Sequence, residues 1–102
     1  MGQIPAAVQD MTQAMQLNPK KAKYVAMRGL VYATAGRMDL AIPDSQAALA
    51  LDPKNVAALV TQAMIYQQQG QRESALAQMQ KAAAIEPNNP TVQKLQAMFG
   101  QQ

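Results

Sequence analysis

Residues 22–55 read AKYVAMRGLVYATAGRMDLAIPDSQAALALDPKN, and residues 56–89 read VAALVTQAMIYQQQGQRESALAQMQKAAAIEPNN. The two stretches adjoin and align over 34 positions without a gap. They are identical at eight of these positions, which in the first stretch are Tyr32, Gly36, Ala41, Gln46, Ala48, Ala50, Pro53 and Asn55. The same period extends upstream to Pro19 and Gly2. A period of roughly 20 to 50 residues indicates a repeat architecture, in which each repeat is one small structural unit.

Each period is predicted to form two helices. Val25, Gly29 and Tyr32 fall on one helical face, and Gly36 is placed to end this helix in a left-handed conformation. Because Asp52 precedes a proline, it avoids helical angles and ends the second helix. The sequence therefore predicts six helices, over residues 5–17, 22–35, 39–51, 56–69, 73–85 and 90–99.

Small residues recur where the predicted helices meet. Alanine repeats with the 34-residue period at Ala7, Ala41 and Ala75, and again at Ala14, Ala48 and Ala82. A small side chain lets two helix backbones approach each other closely. Larger apolar residues, Leu51 and Ile85 among them, are expected to fill the remaining core. Asp44 is expected to be an isolated acid near a helix end.

The composition excludes most catalytic chemistry. The 102 residues include no Cys and no His, so disulfides, thiolate nucleophiles, Cys-type zinc sites and Ser-His-Asp triads are ruled out. The sequence also lacks paired carboxylates and a phosphate-binding glycine loop. We therefore expect no enzyme activity, no metal site and no cofactor.

Charge and hydropathy exclude two further classes of partner. Nine Lys and Arg against six Asp and Glu leave a net charge of +3, and no aromatic stacking platform accompanies the basic residues, so we expect no nucleic-acid binding. No stretch approaches the ~18 uninterrupted apolar residues of a membrane span, so we expect no direct membrane insertion. The N-terminus shows no signal-peptide pattern, and the localisation stays open between cytoplasm and periplasm.

The 34-residue pair of helices resembles the tetratricopeptide repeat (TPR). The characteristic residues of that repeat correspond here to Gly29 and Ala63, Tyr32 and Tyr66, the two alanine columns, and Pro19, Pro53 and Pro87. Val25 departs from the pattern because it replaces the usual tryptophan, and Arg28 departs from it because it replaces a usual leucine. These changes are expected to give slimmer packing without altering the fold.

The resemblance implies an all-α fold, an α-α superhelix (TPR solenoid) of six antiparallel helices and about two and a half repeats. We expect a single domain over residues 1–102. It is divided into a second helix of an incomplete repeat (1–21), two repeats (22–55 and 56–89) and an end helix (90–102). The incomplete first repeat indicates a fragment of a longer array.

The resemblance also implies a protein-protein interaction module, because TPR proteins bind partners on the concave surface lined by their first helices. The residues expected to bind the partner lie on one stripe of each first helix: Lys23, Ala26, Met27, Leu30, Val60, Thr61, Met64, Gln67, Lys94 and Met98. This set is mostly apolar and rich in methionine, which suits a partner peptide or helix. The alternative is that Met27, Leu30 and Met64 only complete the packing of the helices.

Two charged binding modes are weighed separately. TPR arrays that clamp the C-terminal carboxylate of heat-shock chaperones present Lys, Asn and Arg where this sequence has Ala26, Leu30, Thr61, Thr91 and Leu95, so such a clamp is not expected. Lys20, Lys21, Lys23 and Arg28 could attract an acidic segment or a phosphate. A solvated turn is the preferred interpretation of this basic cluster.

The second function class is a structural or self-assembly module. Ile4, Val8, Met11 and Met15 form an apolar stripe on the first predicted helix. In an intact array a preceding helix would cover this stripe. We therefore expect that unpaired end helices could associate between copies, giving a homodimer.

Overall fold

The protein, seen in a computed structural model that describes residues 3–17 and 21–100, is built of helices. Within these residues there are six helices and no strand: α1 (Gln3–Leu17), α2 (Ala22–Thr34), α3 (Met38–Leu51), α4 (Val56–Gln68), α5 (Arg72–Ile85) and α6 (Pro90–Gly100). The predicted number of helices is confirmed, and each boundary lies within two residues of its prediction.

Glycine ends both α2 and α4, as the sequence predicts. Gly36 has a φ of 81° and Gly70 a φ of 78°, a left-handed conformation that a residue with a side chain adopts at a cost. The Gly36 N–H donates to the carbonyl of Ala33 at 3.0 Å, and the next N–H donates to the carbonyl of Tyr32 at 2.8 Å. These bonds satisfy carbonyls that the helix end would otherwise leave free.

The helices stack in chain order as a solenoid. Each helix packs against the next along the chain, and α2 also packs against α4. The alanine columns lie at these contacts, since Ala41, Ala48, Ala75 and Ala82 are fully buried. At the α2–α3 contact, a Cβ placed on Gly29 would lie 3.0 Å from the Cβ of Asp44. Even the methyl group of an alanine at this position would therefore require Asp44 to shift by a few tenths of an ångström.

The core consists of three clusters of buried residues between α2 and α6, and two predicted core residues lie outside them. Its largest cluster joins α4, α5 and α6 through residues such as Leu59, Met79 and Val92. Leu51 and Ile85 are 47% and 40% exposed, so the expectation that they fill the core is wrong. Each is the last residue of its helix.

Candidate functional site

Two depressions lie along α2, α4 and α6, the helices that the sequence predicts to line the partner surface. The first has a volume of about 260 Å³ and is lined by Lys23, Met27, Leu30, Asn55, Val56, Ala57, Val60, Glu86, Asn89 and Thr91. The second has a volume of about 220 Å³ and is lined by Met38, Met64, Gln67, Gln68, Leu95 and Met98. We refer to the two together as the groove.

On each of α2, α4 and α6, the residues that line the groove follow one stripe along the helix. On α4 the stripe runs through residues 57, 60, 64 and 67, at spacings of 3, 4 and 3. Residues three and four apart in an α-helix lie on the same face. On α2 the stripe runs through residues 23, 27 and 30, and on α6 through 91, 95 and 98. The two depressions therefore belong to one face of the solenoid.

Seven of the ten predicted partner-binding residues line the groove. Lys23, Met27, Leu30 and Val60 line the first depression, and Met64, Gln67 and Met98 line the second. Met27 and Met98 are 37% and 48% exposed, which makes them two of the five large apolar side chains that reach the surface in the described residues. An exposed methionine offers a flexible, polarisable surface to a partner.

The structure places three of the predicted residues in the interior. Ala26 and Val60 are each 1% exposed and Thr61 is fully buried. Of these three, only Val60 lines a depression. Thr61 can be buried at low cost because its hydroxyl donates to the carbonyl of Ala57 at 2.8 Å. The tenth residue, Lys94, is exposed on α6 and borders neither depression.

Nine residues that line the groove are not among the ten predicted ones: Met38, Asn55, Val56, Ala57, Gln68, Glu86, Asn89, Thr91 and Leu95. Two of them carried a detectable signal, because Asn55 and Asn89 are 34 residues apart and each directly precedes a predicted helix. Asn55 Oδ1 accepts from the N–H of Ala58 at 3.0 Å, and Asn89 Oδ1 accepts from the N–H of Thr91 at 2.9 Å. Both asparagines cap a helix that lines the groove.

Arg28 does not belong to the predicted basic cluster. Its Nε and Nη2 donate to the two carboxylate oxygens of Asp44, each at 2.8 Å, and its Nη1 donates to the hydroxyl of Thr12 at 3.2 Å. Asp44 is therefore paired, which corrects the expectation of an isolated acid. Of the other cluster members, Lys21 and Lys23 are exposed, and Lys20 lies outside the described residues.

The Arg28–Asp44 pair is partly shielded from water, with side chains 21% and 8% exposed. The hydrogen bond to Asp44 raises the pKa of the Arg28 guanidinium, although desolvation opposes this effect. The negative charge of Asp44 raises the pKa further. Arg28 therefore stays charged throughout the physiological range, and its charge is paired with that of Asp44 within the fold.

Charges are distributed unevenly between the two sets of helices. The helices α2, α4 and α6 contain no acidic residue. The six acids of the chain lie on α1, α3 and α5 or in the turns that follow α3 and α5. Glu86 is the one carboxylate among the residues that line the groove, and it accepts from the side-chain amide of Asn89 at 2.9 Å.

In residues 3–17 and 21–100, no group of three or more His, Cys, Asp and Glu residues could hold a metal ion. No helix of that part of the chain combines the length and the apolar character needed to cross a membrane.

Comparisons with known proteins agree with this architecture. The structure is similar to the TPR domain of Arabidopsis OM64, with a TM-score of 0.80 and 25% sequence identity over 99% of this chain and 84% of that one. It is also similar in fold to the first TPR domain of human RPAP3, with a TM-score of 0.80 and 20% identity over 98% and 79% of the two chains. A comparison with curated proteins finds no match.

The sequence comparison with protein families gives the same assignment. The tetratricopeptide repeat profile matches residues 32–99, which are 68 of the 102 residues. This match includes α3, α4 and α5 entirely, and most of α6. The sequence repeat, the stacked helix pairs and the profile agree, and the chain belongs to the tetratricopeptide repeat family.

Proposed function

We propose that this chain binds a segment of a partner protein in the groove along α2, α4 and α6. TPR domains are general protein-protein interaction modules, which gives the coarse function. The proposed contact residues are Lys23, Met27, Leu30, Val60, Met64, Gln67, Lys94 and Met98. We also propose how the chain is divided into repeats: a second helix of an incomplete repeat (1–21), two repeats (22–55 and 56–89) and an end helix (90–102).

One observation carries this proposal: large apolar side chains stay exposed on the face that carries both depressions. Met27 and Met98 keep 37% and 48% of their surface accessible. Burying apolar surface is favourable by roughly 25 cal/mol per Å². A partner that covers these side chains therefore gains free energy that the isolated chain cannot.

The size of the depressions supports a protein partner over a small molecule. Ligand pockets usually have volumes of roughly 300–1,000 Å³ and enclose most of the ligand. The two depressions have about 260 and 220 Å³ and are open on one side. Each has room for side chains that project from a longer segment lying across the helices.

The test uses peptides selected for binding to the wild-type chain from a random library. The double variant M27D/M98D places two carboxylates where the apolar contacts are proposed. We expect the affinity of the selected peptides, measured by fluorescence anisotropy, to fall more than about tenfold. Both side chains are already partly exposed, so the helicity measured by circular dichroism should be unchanged.

The chain offers a matched control. Leu51 and Ile85 are 47% and 40% exposed, close to the values for Met98 and Met27, and they line neither depression. L51D/I85D should therefore leave the affinity within about twofold of wild type. Equal losses in the two double variants would contradict the proposal.

Methionine methyl resonances provide a second readout of the same binding event. We expect the ε-methyl signals of Met27, Met64 and Met98 to shift when a peptide is added. Met79 is 2% exposed and lies in the α4–α5–α6 core, so its signal serves as the internal control. Shifts confined to residues outside the groove would place the binding site elsewhere.

A second candidate function is self-assembly through α1. Leu17, at the end of α1, is 81% exposed, the highest value among the large apolar residues described. Val8, Met11 and Met15 are half-buried on the same helix, and Met15 packs against the core cluster that contains Val25. The side chain of Ile4 lies outside the described residues. A second copy that covers α1 would bury this surface.

A further inference from the structure

The charges around the groove point to the chemistry of its occupant. We propose that the groove takes a segment with acidic residues on both sides of an apolar centre. This inference rests on the proposed function, since it names the class of partner for the same groove.

Lysines stand on the two outer helices of the groove. Lys23 is on α2 and lines the first depression, and Lys94 is on α6 at the position that corresponds to Val60 of α4. Both are exposed. Neither forms an ion pair with a carboxylate of the described residues, where the two ion pairs are Arg28–Asp44 and Arg37–Asp39. Two cations are thus available to a partner.

The helix between them carries no charge. The α4 sequence VAALVTQAMIYQQ contains no Lys, Arg, Asp or Glu. Its contribution to the groove is Ala57, Val60 and Met64, followed by Gln67 and Gln68. A segment that crosses from α2 to α6 therefore meets Lys23 and then an apolar surface. Lys94 lies beside the groove, on the α6 stripe between the lining residues Thr91 and Met98. Charge complementarity requires acids at its two sides and apolar side chains between them.

Glu86 is the one opposing charge at the groove. It lines the first depression and accepts a hydrogen bond from Asn89, which holds it at the turn before α6. Its carboxylate should weaken the binding of an acidic segment. The Glu86→Gln variant keeps a group that can accept this hydrogen bond and removes the charge, so it should bind acidic segments more tightly.

The spacing of the helices sets the length of the probe. Packed helices such as α2 and α4 lie about 8–10 Å apart, and α6 is one step further along the groove, so the distance from α2 to α6 is at least about 16–20 Å. About six residues of extended chain or about thirteen residues of helix cover that span, and a random library of about sixteen residues includes both. Peptides are selected on the wild-type chain and on the charge-reversed variant K23E/K94E.

We expect the wild-type chain to select peptides with Asp or Glu on both sides of an apolar centre. Their affinity for K23E/K94E should fall about tenfold. The matched control is K54E/K81E, which changes the net charge equally at exposed lysines that line neither depression. It should change the affinity less than about twofold. At about 1 M salt, where the Debye length is about 3 Å, the difference between the two variants should largely disappear.

The outcomes separate this inference from the proposed function. If the selected peptides carry no acidic bias and bind K23E/K94E as tightly as wild type, but lose binding to M27D/M98D, the inference is wrong and the groove function stands. If no selected peptide responds to M27D/M98D, both are wrong. If K23E/K94E and K54E/K81E lose the same affinity, then the affinity depends only on the net charge of the chain, and the inference is wrong.

Discussion

Arg28 connects three helices with one side chain. It lies on α2, donates two hydrogen bonds to Asp44 on α3 and one to Thr12 on α1, and its guanidinium carbon lies 5.9 Å from the centre of the Tyr32 ring. A bidentate contact between a guanidinium and a carboxylate is among the stronger polar contacts in proteins. The TPR pattern places a leucine at this position. The first helix pair is therefore joined by a charge pair where apolar packing is usual.

The next period has uncharged residues at the equivalent positions. Gln62 and Gln78 stand 34 residues after Arg28 and Asp44. Both are half-buried, and no buried side-chain N or O atom of the described residues lacks a hydrogen-bond partner. A pair of amides is thus compatible with this position of the fold.

This comparison gives a prediction for a double-mutant cycle. Arg28→Gln leaves the Asp44 carboxylate, which is only 8% exposed, without its partner, and should lower the free energy of unfolding by about 2–3 kcal/mol. Asp44→Gln should cost less, about 1 kcal/mol, because Arg28 is 21% exposed and can reach water. The double variant R28Q/D44Q should recover most of the loss. Urea unfolding measures all four proteins, and strictly additive losses would contradict the coupling.

At the scale of the element, α2 differs from α4 and α6 in how its N-terminus is capped. Asn55 and Asn89 precede α4 and α6, and each accepts hydrogen bonds from the first turn of its helix. The equivalent residue before α2 is Lys21, whose side chain makes no cap hydrogen bond. The backbone is the same in shape, since Lys21 has φ −89° and ψ 109° and Asn55 has φ −71° and ψ 113°.

The difference predicts opposite effects for a reciprocal pair of substitutions. Lys21→Asn introduces a cap on a backbone already suited to it and should stabilise the protein by about 0.5–1 kcal/mol. Asn55→Lys removes a cap and should destabilise it by about 1 kcal/mol. Thermal unfolding measures both changes. If Lys21→Asn does not raise the Tm while Asn55→Lys lowers it, the start of α2 does not limit the stability of its helix.

At the scale of the whole molecule, stability depends on contacts between successive helices. Each helix packs against its chain neighbours, as expected for a solenoid whose stability sums over adjacent interfaces. Helix α1 packs mainly against α2, and Leu17 remains 81% exposed. Covering this apolar surface with a second copy would lower the free energy of the pair.

We therefore predict a concentration-dependent dimer. Sedimentation velocity should show a monomer at micromolar concentration and an increasing dimer fraction in the submillimolar range. Leu17→Asp should restore the monomer. Leu51→Asp is the matched control, because Leu51 is also an exposed leucine at the end of the second helix of a repeat, and it should leave the dimer unchanged. A strict monomer at all concentrations, or equal effects of the two variants, would contradict assembly through α1.

The sequence by itself determined the helices and their order. The 34-residue period, Gly36 and Gly70 at the turns, and the prolines after the second helices predict six helices to within two residues at every end. These signals are local, because a positive φ or a proline acts on its own residue and the one before it. The stripes of α2, α4 and α6 follow from helical periodicity, and so the groove could be predicted as a face.

Only the tertiary structure decided which side chains are available on that face. Ala26 and Met27 are adjacent in the sequence, yet Ala26 is 1% exposed and Met27 is 37% exposed. Helical spacing gives the direction of a side chain but not how closely the neighbouring helices approach it. The pairing of Arg28 with Asp44 was equally hidden, because it joins residues sixteen positions apart on two helices. Burial and pairing depend on distances between helices, and those distances are set by the packing of the whole chain.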